Sequence, residues 1–457
     1  MINIIGSELL EKYNLPVPRY TSYPTVPFWK EGLNQDDWKG VVNRQFAIYN
    51  NAEGISLYIH LPFCESLCTY CGCNKKITTH HNAEEVYMEA VIREWNLYRA
   101  LMTEKPVIRE LHLGGGTPTF FSAANLSLLL NAIYKDSVIH PQHEFSVEGH
   151  PNNTTAEHLT ALYNLGFRRV SYGVQDNDPE VQRIINRIQP IENVKKATET
   201  ARATGFKSVN FDLIYGLPGQ SLQSMEKTIL QTLELKPDRI AFYSYAHVPW
   251  TSRGQRLFDE NDLPSAELKM KLYQLARHLF TTHGYIDIGM DHFALPSDDL
   301  YLARDGGWLH RNFMGYTTQR TSMLLGLGVS SISDAGIAFA QNEKTLQHYY
   351  DRIDKNELAV TKGYFLSSED IHFRQYILDI SCRGYTEFRK GDSRLLEAFS
   401  FPELRKLEAD GLLTWDNKSL KLTKLGQHFI RNICRAFDLH LLRNESSPEI
   451  KRYSKAI

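Results

Sequence analysis

The sequence predicts an α/β fold: an incomplete parallel (βα)6 barrel followed by a smaller, mostly helical C-terminal domain resembling a winged helix. Three observations predict it. Short strand-like runs alternate with longer amphipathic stretches between about 55 and 246, which implies parallel strands joined by crossovers. Polar and glycine-rich residues cluster just after each run, where barrel-type α/β folds carry their chemistry. From roughly Lys362 the alternation gives way to helices and a hairpin.

The six candidate strands are 55–60 (ISLYIH), 108–113 (IRELHL), 144–148 (EFSVE), 168–174 (RRVSYGV), 208–216 (SVNFDLIYG) and 238–246 (DRIAFYSYA). They run into HLPFC, GGGTPT, EGHP, GVQD, YGLPGQ and YAHVP respectively. Between them, stretches such as AEEVYMEAVIREWNLYRALM and SAANLSLLLNAIYK place apolar residues at helical spacing. A further apolar region covers about 285–335. Beyond it, SSEDIHFRQYILDIS and FPELRKLEADGLL read as helices. LLTWDNKSLKLT reads as a hairpin turning at Asp416-Asn417-Lys418, and KLGQHFIRNICRAFDLHLL as one final helix. The expected organisation is an N-terminal segment over 1–50 reaching toward the active site, a partial barrel with its extension over 51–360, and a helical lid over 361–457.

Composition narrows the function. An apolar fraction of 42% supports a sizeable core, and no apolar run reaches membrane-spanning length. A formal net charge of −2 gives no general attraction to nucleic acid. Retained thiols without a secretory layout at the N-terminus point to a reducing cytoplasm. A monomer without membrane or nucleic-acid partners is expected.

Four of the six cysteines fall at Cys64, Cys68, Cys71 and Cys73. The first three read C-x3-C-x2-C and leave a fourth coordination position without an obvious local ligand. Structural zinc closes its shell with four ligands, whereas a [4Fe–4S] cluster held by three cysteines keeps one iron open for chemistry. Zinc stays an alternative, with Cys73 or His60 as fourth ligand. Cys382 and Cys434 lie in apolar, helix-like surroundings and read as core thiols. Gly114-Gly115-Gly116 matches neither the Rossmann nor the Walker pattern, so nucleotide hydrolysis is not supported. Glu148 ends a buried-looking strand and must find a partner or ligand there.

The cysteine motif followed by GGGTP resembles the radical S-adenosylmethionine enzymes. PRYTSYPT (18–25), CxxxCxxCGCNK (64–75), GGGTPT (114–119), GVQD (173–176), DLIYGLPGQ (212–220), YAHVP (245–249), GMDHFA (289–294), HRNFMGYTT (310–318) and RNIC (431–434) together resemble the oxygen-independent coproporphyrinogen III oxidase family over nearly the whole chain. The resemblance implies a [4Fe–4S] cluster on Cys64, Cys68 and Cys71, and two molecules of S-adenosylmethionine. It implies radical decarboxylation of two propionates of coproporphyrinogen III, giving protoporphyrinogen IX, and a one-electron donor that the sequence does not name. Tyr58, Tyr70, Gly115, Glu148 and Ile332 fall where that family contacts the cluster-bound cofactor. Gly116, Thr117, Gln175, Arg187, Asp212 and Ala246 fall where it holds the second.

For the substrate's carboxylates, Arg19 beside Tyr20, and Arg311, are candidates, against an ordinary structural role. His247, His292 and His310 lie near strand ends and are candidates for binding or proton transfer. One departure from the family stands out: His150 occupies the position after Gly149 where an aspartate is more usual. The expectation is that His150 supports Glu148 by a hydrogen bond. Cys73, only two residues beyond Cys71, is expected to serve the active-site wall and not the cluster. The competing readings are a related haem chaperone and a zinc-stabilised nucleic-acid-binding protein.

Overall fold

The structure, a computed structural model, describes residues 6–250, 252–444 and 453. Residues 1–5 and most of 445–457, the outer ends of the two terminal segments outlined above, lie outside the described residues. All six predicted parallel strands form: β1 (Ile55–Leu61), β2 (Val107–Gly115), β3 (Val138–Gly149), β4 (Phe167–Gln175), β5 (Ser208–Tyr215) and β6 (Arg239–Ser244). They pair in sequence order, each parallel to the next. Alternation dictates their two faces: Leu57, Ile59 and Leu61 join the fully buried core, while Tyr58 and His60 line a cavity.

The intervening helices start where polar caps satisfy their first free N–H groups. The Ser122 hydroxyl accepts from Asn125 N, Thr155 from His158 N, Ser221 from Ser224 N and Ser265 from Leu268 N.

The 285–335 region extends the sheet at both ends. Next to β6 lie β7 (Ile286–Gly289) and β8 (His292–Ala294), an antiparallel pair. On the other side, β9 (Leu324–Leu327) lies parallel to β1 and adds a seventh parallel strand. The antiparallel strands β10 (Ile332–Asp334), β11 (Ala338–Asn342) and β12 (Val360–Phe365) follow, and the two-residue strand Lys30–Glu31 caps β12. This 13-stranded order has two free ends, so the barrel is incomplete.

The C-terminal part contains the predicted helices Ser368–Arg383 and Phe401–Ala409. The hairpin turns where Lys418 N and Ser419 N donate to Asp416 Oδ1, and the strand Tyr385–Glu387 joins it. The single final helix expected from the sequence is instead three short pieces: Gly426–Phe429, Ile430–Arg435 and Leu439–Arg443. The break lies where buried Asp438 caps the last piece and accepts from the Tyr20 hydroxyl at 3.1 Å. Tyr23 Oη accepts from Leu439 N there. The N-terminal segment packs into this break.

Among the described residues, no helix is long and apolar enough to cross a membrane.

Candidate active site

The carboxyl ends of β1–β6 converge on two cavities that share one wall. The larger, about 860 Å³, is lined by Tyr58, His60, His112, Ile332 and Lys344 among others. The smaller, about 360 Å³, is lined by Cys64, Cys68, Cys71, Thr117, Arg187 and Asp212 among others. Cys73, Lys75, Gly115 and Glu148 face both.

The cysteine loop leaves the end of β1 and is closed at its base by Lys76 N donating to Pro62 O and Thr78 N to Cys64 O. Neighbouring segments clip it. Thr69 N donates to Ile185 O, Asn186 Nδ2 to Leu67 O, Ser252 Oγ to Cys71 O and Gln255 Nε2 to Tyr70 O. The main chain of the loop is thus satisfied from outside, and its thiols face the small cavity. Burial pushes the Cys64 thiol up to about 11. A hydrogen bond from Cys73, aided by Lys75 and Arg187, brings Cys71 down to about 6.

The glycine run makes close approach possible. A side chain at Gly116 would meet Pro62 O at 2.5 Å, and one at Gly115 the His60 ring at 2.9 Å. Gly115 also adopts φ +119°, a region that favours glycine. A Cβ at Gly114 would press on Tyr58 and on Glu148 Oε1 at 3.1 Å. The run therefore brings β2 against the loop and clears room for Glu148. That carboxylate accepts from Gly115 N at 3.2 Å, lies 3.3 Å from His112 Nε2, and keeps 43% of its side chain exposed.

His150 does not support Glu148. Its backbone N–H donates to Thr119 Oγ1, and its Nδ1 accepts from Asn152 N. Burial and nearby Arg187 push its pKa down to about 3. The histidine on Glu148 is His112, missed in the sequence. Its signal was present: in IRELHL it lies two residues before Gly114, on the same strand face.

Of the residues implied for the first cofactor, Tyr58, Gly115, Glu148 and Ile332 line the large cavity; Tyr70 lines the small one. Of the second set, Gly116, Thr117, Gln175, Arg187 and Asp212 line the small cavity, whereas Ala246 lines neither. The Ala246 carbonyl accepts from Gln255, which also holds Tyr70 O. Arg187 donates to Gly173 O and lies 3.6 Å from Cys68 Sγ, while its buried Nε has no partner. Asp212 is pushed up to about 6, first by burial and then by the charge of Glu148.

The arginine candidates lie elsewhere. Arg19 donates to Ser244 O, and Arg311 donates to Arg19 O at 2.7 Å and Tyr20 O at 3.0 Å. Arg19, Tyr20 and Arg311 line neither cavity. His292 Nδ1 donates to Met290 O and its Nε2 pairs with the Tyr243 hydroxyl, and His247 pairs with Tyr245. His310 lines a separate cleft beside Trp308 and Arg383.

Among the described residues, no three His, Cys, Asp or Glu side chains come together closely enough to hold a metal ion. His60, an alternative fourth zinc ligand, has both ring nitrogens engaged, by the Tyr58 hydroxyl and Asn74 O. The donor set is three thiols around a roomy pocket, with unpartnered Arg187 Nε beside them. That set fits a cubane cluster, whose thiolates are spaced around a larger body than one ion.

Residues 58–231 match the Radical SAM superfamily. Oxygen-independent coproporphyrinogen III oxidases from Synechocystis and Escherichia coli are each 38% identical, covering 99% and 97% of this chain and 98% and 97% of their own lengths. The chain belongs to the oxygen-independent coproporphyrinogen III oxidases. A solved coproporphyrinogen III oxidase from Escherichia coli, described as a radical SAM enzyme, superposes with TM-score 0.89 at 37% identity over 96% of this chain and all of that one. Membership of this family implies a [4Fe–4S] cluster and S-adenosylmethionine.

Proposed function

We propose that this chain decarboxylates two propionate side chains of coproporphyrinogen III to vinyl groups without oxygen, giving protoporphyrinogen IX in haem synthesis. The observation that carries the reading is the shared wall: Glu148 and Gly115 stand between a thiol-lined cavity and one large enough for a tetrapyrrole. Cys64, Cys68 and Cys71 would hold the cluster. Bound there, the cluster and S-adenosylmethionine supply a radical able to take hydrogen from an unactivated C–H bond.

The chain's own work is placement and exclusion. Glu148 would hold an ammonium group beside the cluster, where Gly115 N fixes one of its oxygens. Tyr58 and Ile332 would line the same cofactor from β1 and β10. Gly116, Thr117, Gln175, Arg187 and Asp212 would hold a second S-adenosylmethionine in the small cavity. The glycine run packs its main chain directly against Pro62 and Phe63, so no side chain intervenes in that part of the wall. A cytoplasmic monomer served by a one-electron donor completes the reading. Neither the haem chaperone nor the zinc protein gains an observation.

Anaerobic incubation of the reconstituted protein with coproporphyrinogen III, S-adenosylmethionine and a reductant tests this. The expected product has lost two carbon dioxides and four hydrogens by mass. Binding without any mass change would overturn the reading.

A further inference from the structure

The substrate just proposed has a hydrophobic ring and four carboxylates, so its site needs apolar walls and cations at the perimeter. The large cavity has the walls: Val26, Leu67, Ile77, Phe313 and Met314 line it. The arginines that the sequence offered for the carboxylates do not reach it. Within the described lining the only lysines or arginines are Lys75 and Lys344. Both lining histidines are engaged, His60 by Tyr58 and Asn74, and His112 by Ser146 and Glu148.

The two lysines differ. Lys75 Nζ donates to Cys71 O at 3.0 Å and Cys73 O at 3.4 Å, so its charge is fixed at the mouth of the cysteine loop. Lys344 is exposed, and among the described residues neither a hydrogen bond nor an ion pair is formed by its ammonium. Its neighbour Glu343 does not neutralise it, because Arg352 and His348 lie 3.7 and 4.0 Å from that carboxylate. One contact brings the lysines to the same rim: Asn74 Nδ2 donates to Lys344 O at 2.8 Å. Loops distant in sequence thus deliver two positive charges to one edge of an apolar cavity in which, among the described residues, Glu148 is the single lining carboxylate.

We infer that Lys344, with Lys75 beside it, is the carboxylate-binding edge for the propionates of the tetrapyrrole; this rests on the functional reading above. The residue type suits the reaction. Two propionates must reach the reacting position in turn, so the ring has to be released and seated again. A flexible ammonium follows a moving carboxylate, whereas a bidentate arginine would fix one register.

The test uses the holoprotein and coproporphyrin III, the oxidised and unreactive form of the ring, followed by fluorescence. Lys344→Met should raise its Kd about tenfold, and Lys344→Glu should raise it further. Lys344→Arg should restore affinity to within about threefold of wild type. In turnover, Lys344→Met should raise KM more than it changes kcat, with cluster absorbance as in wild type. Wild-type Kd and KM in both Lys344→Met and Lys344→Glu would overturn the inference while leaving the proposed function standing. Failure of the wild-type protein to bind or convert the tetrapyrrole would overturn the function itself.

Discussion

The cysteine loop and the arginine cluster beneath the N-terminal segment both sit against the barrel mouth, and they differ in where their polar atoms are used. Outside segments satisfy the main chain of the loop, so Cys64, Cys68 and Cys71 remain with their sulfurs available in a cavity. In the cluster the guanidinium groups are themselves satisfying groups for the main chain, although Arg311 Nε is left without a partner among the described residues. Arg19 holds Ser244 O, Arg311 holds Arg19 O and Tyr20 O, and Arg431 holds Val17 O and Pro18 O. Charge in a plausible place does not make a ligand site. What makes one is functional groups left over once the fold's own backbone has been paired.

Removing the groups that are left over should have the largest effect. Serine at 64, 68 or 71 should abolish or badly deplete the cluster, read as iron and sulfide content and loss of the brown absorption. Cys73→Ser should keep the cluster, because Cys73 lies on the wall shared by the cavities. Equal iron loss in Cys73→Ser would instead favour a closed four-cysteine site.

Next in size is Glu148→Gln. The amide can still accept from Gly115 N but loses the charge, so turnover should fall on the order of 10²-fold or more with the cluster retained. Wild-type turnover would remove Glu148 from cofactor binding.

On the other side of the comparison, Arg311→Met should act through folding. It leaves the carbonyls of Arg19 and Tyr20 without this donor in a buried setting, a loss of about 2–3 kcal/mol. Anaerobic denaturant melts should show that loss, with KM for coproporphyrinogen unchanged in the protein that remains folded. A raised KM at unchanged stability would return Arg311 to the substrate.

The smallest effect concerns Asp438, which caps the last helix beneath the same segment. Burial pushes its pKa from the ordinary 3.8 up to about 6. The native state therefore holds this proton more tightly than the unfolded chain does. Its ionisation penalty is absent below pH 4, grows as pH rises toward 6, and is constant above. Asp438→Asn removes that penalty, so the variant should gain on wild type by about 1–2 kcal/mol between pH 4 and 6. A difference that does not change with pH would contradict the buried, raised carboxyl.

Much of this was legible in the sequence because local pattern carried it. Short strand-like runs set between amphipathic stretches located β1–β6, and C-x3-C-x2-C located the thiol loop. The rest depends on long-range packing. LLGLG gives no sign that β9 will lie parallel to β1 from the far end of the barrel. The final helix reads as continuous until Tyr20 and Tyr23 are seen packed into its break. His150 was expected on Glu148 from its nearness in sequence, yet strand pairing sets His112 there. Lys344 had no signal, since only the Asn74 contact brings it to the cavity rim.

In the proposed reaction, hydrogen is taken from a propionate by a cofactor-derived radical in the cavity behind Glu148. Coproporphyrinogen III deuterated at the propionate carbon next to the ring tests it most directly. Anaerobic turnover should place deuterium in the 5′-deoxyadenosine released, in step with the vinyl product. Formation of that product with no deuterium in 5′-deoxyadenosine would contradict the claim.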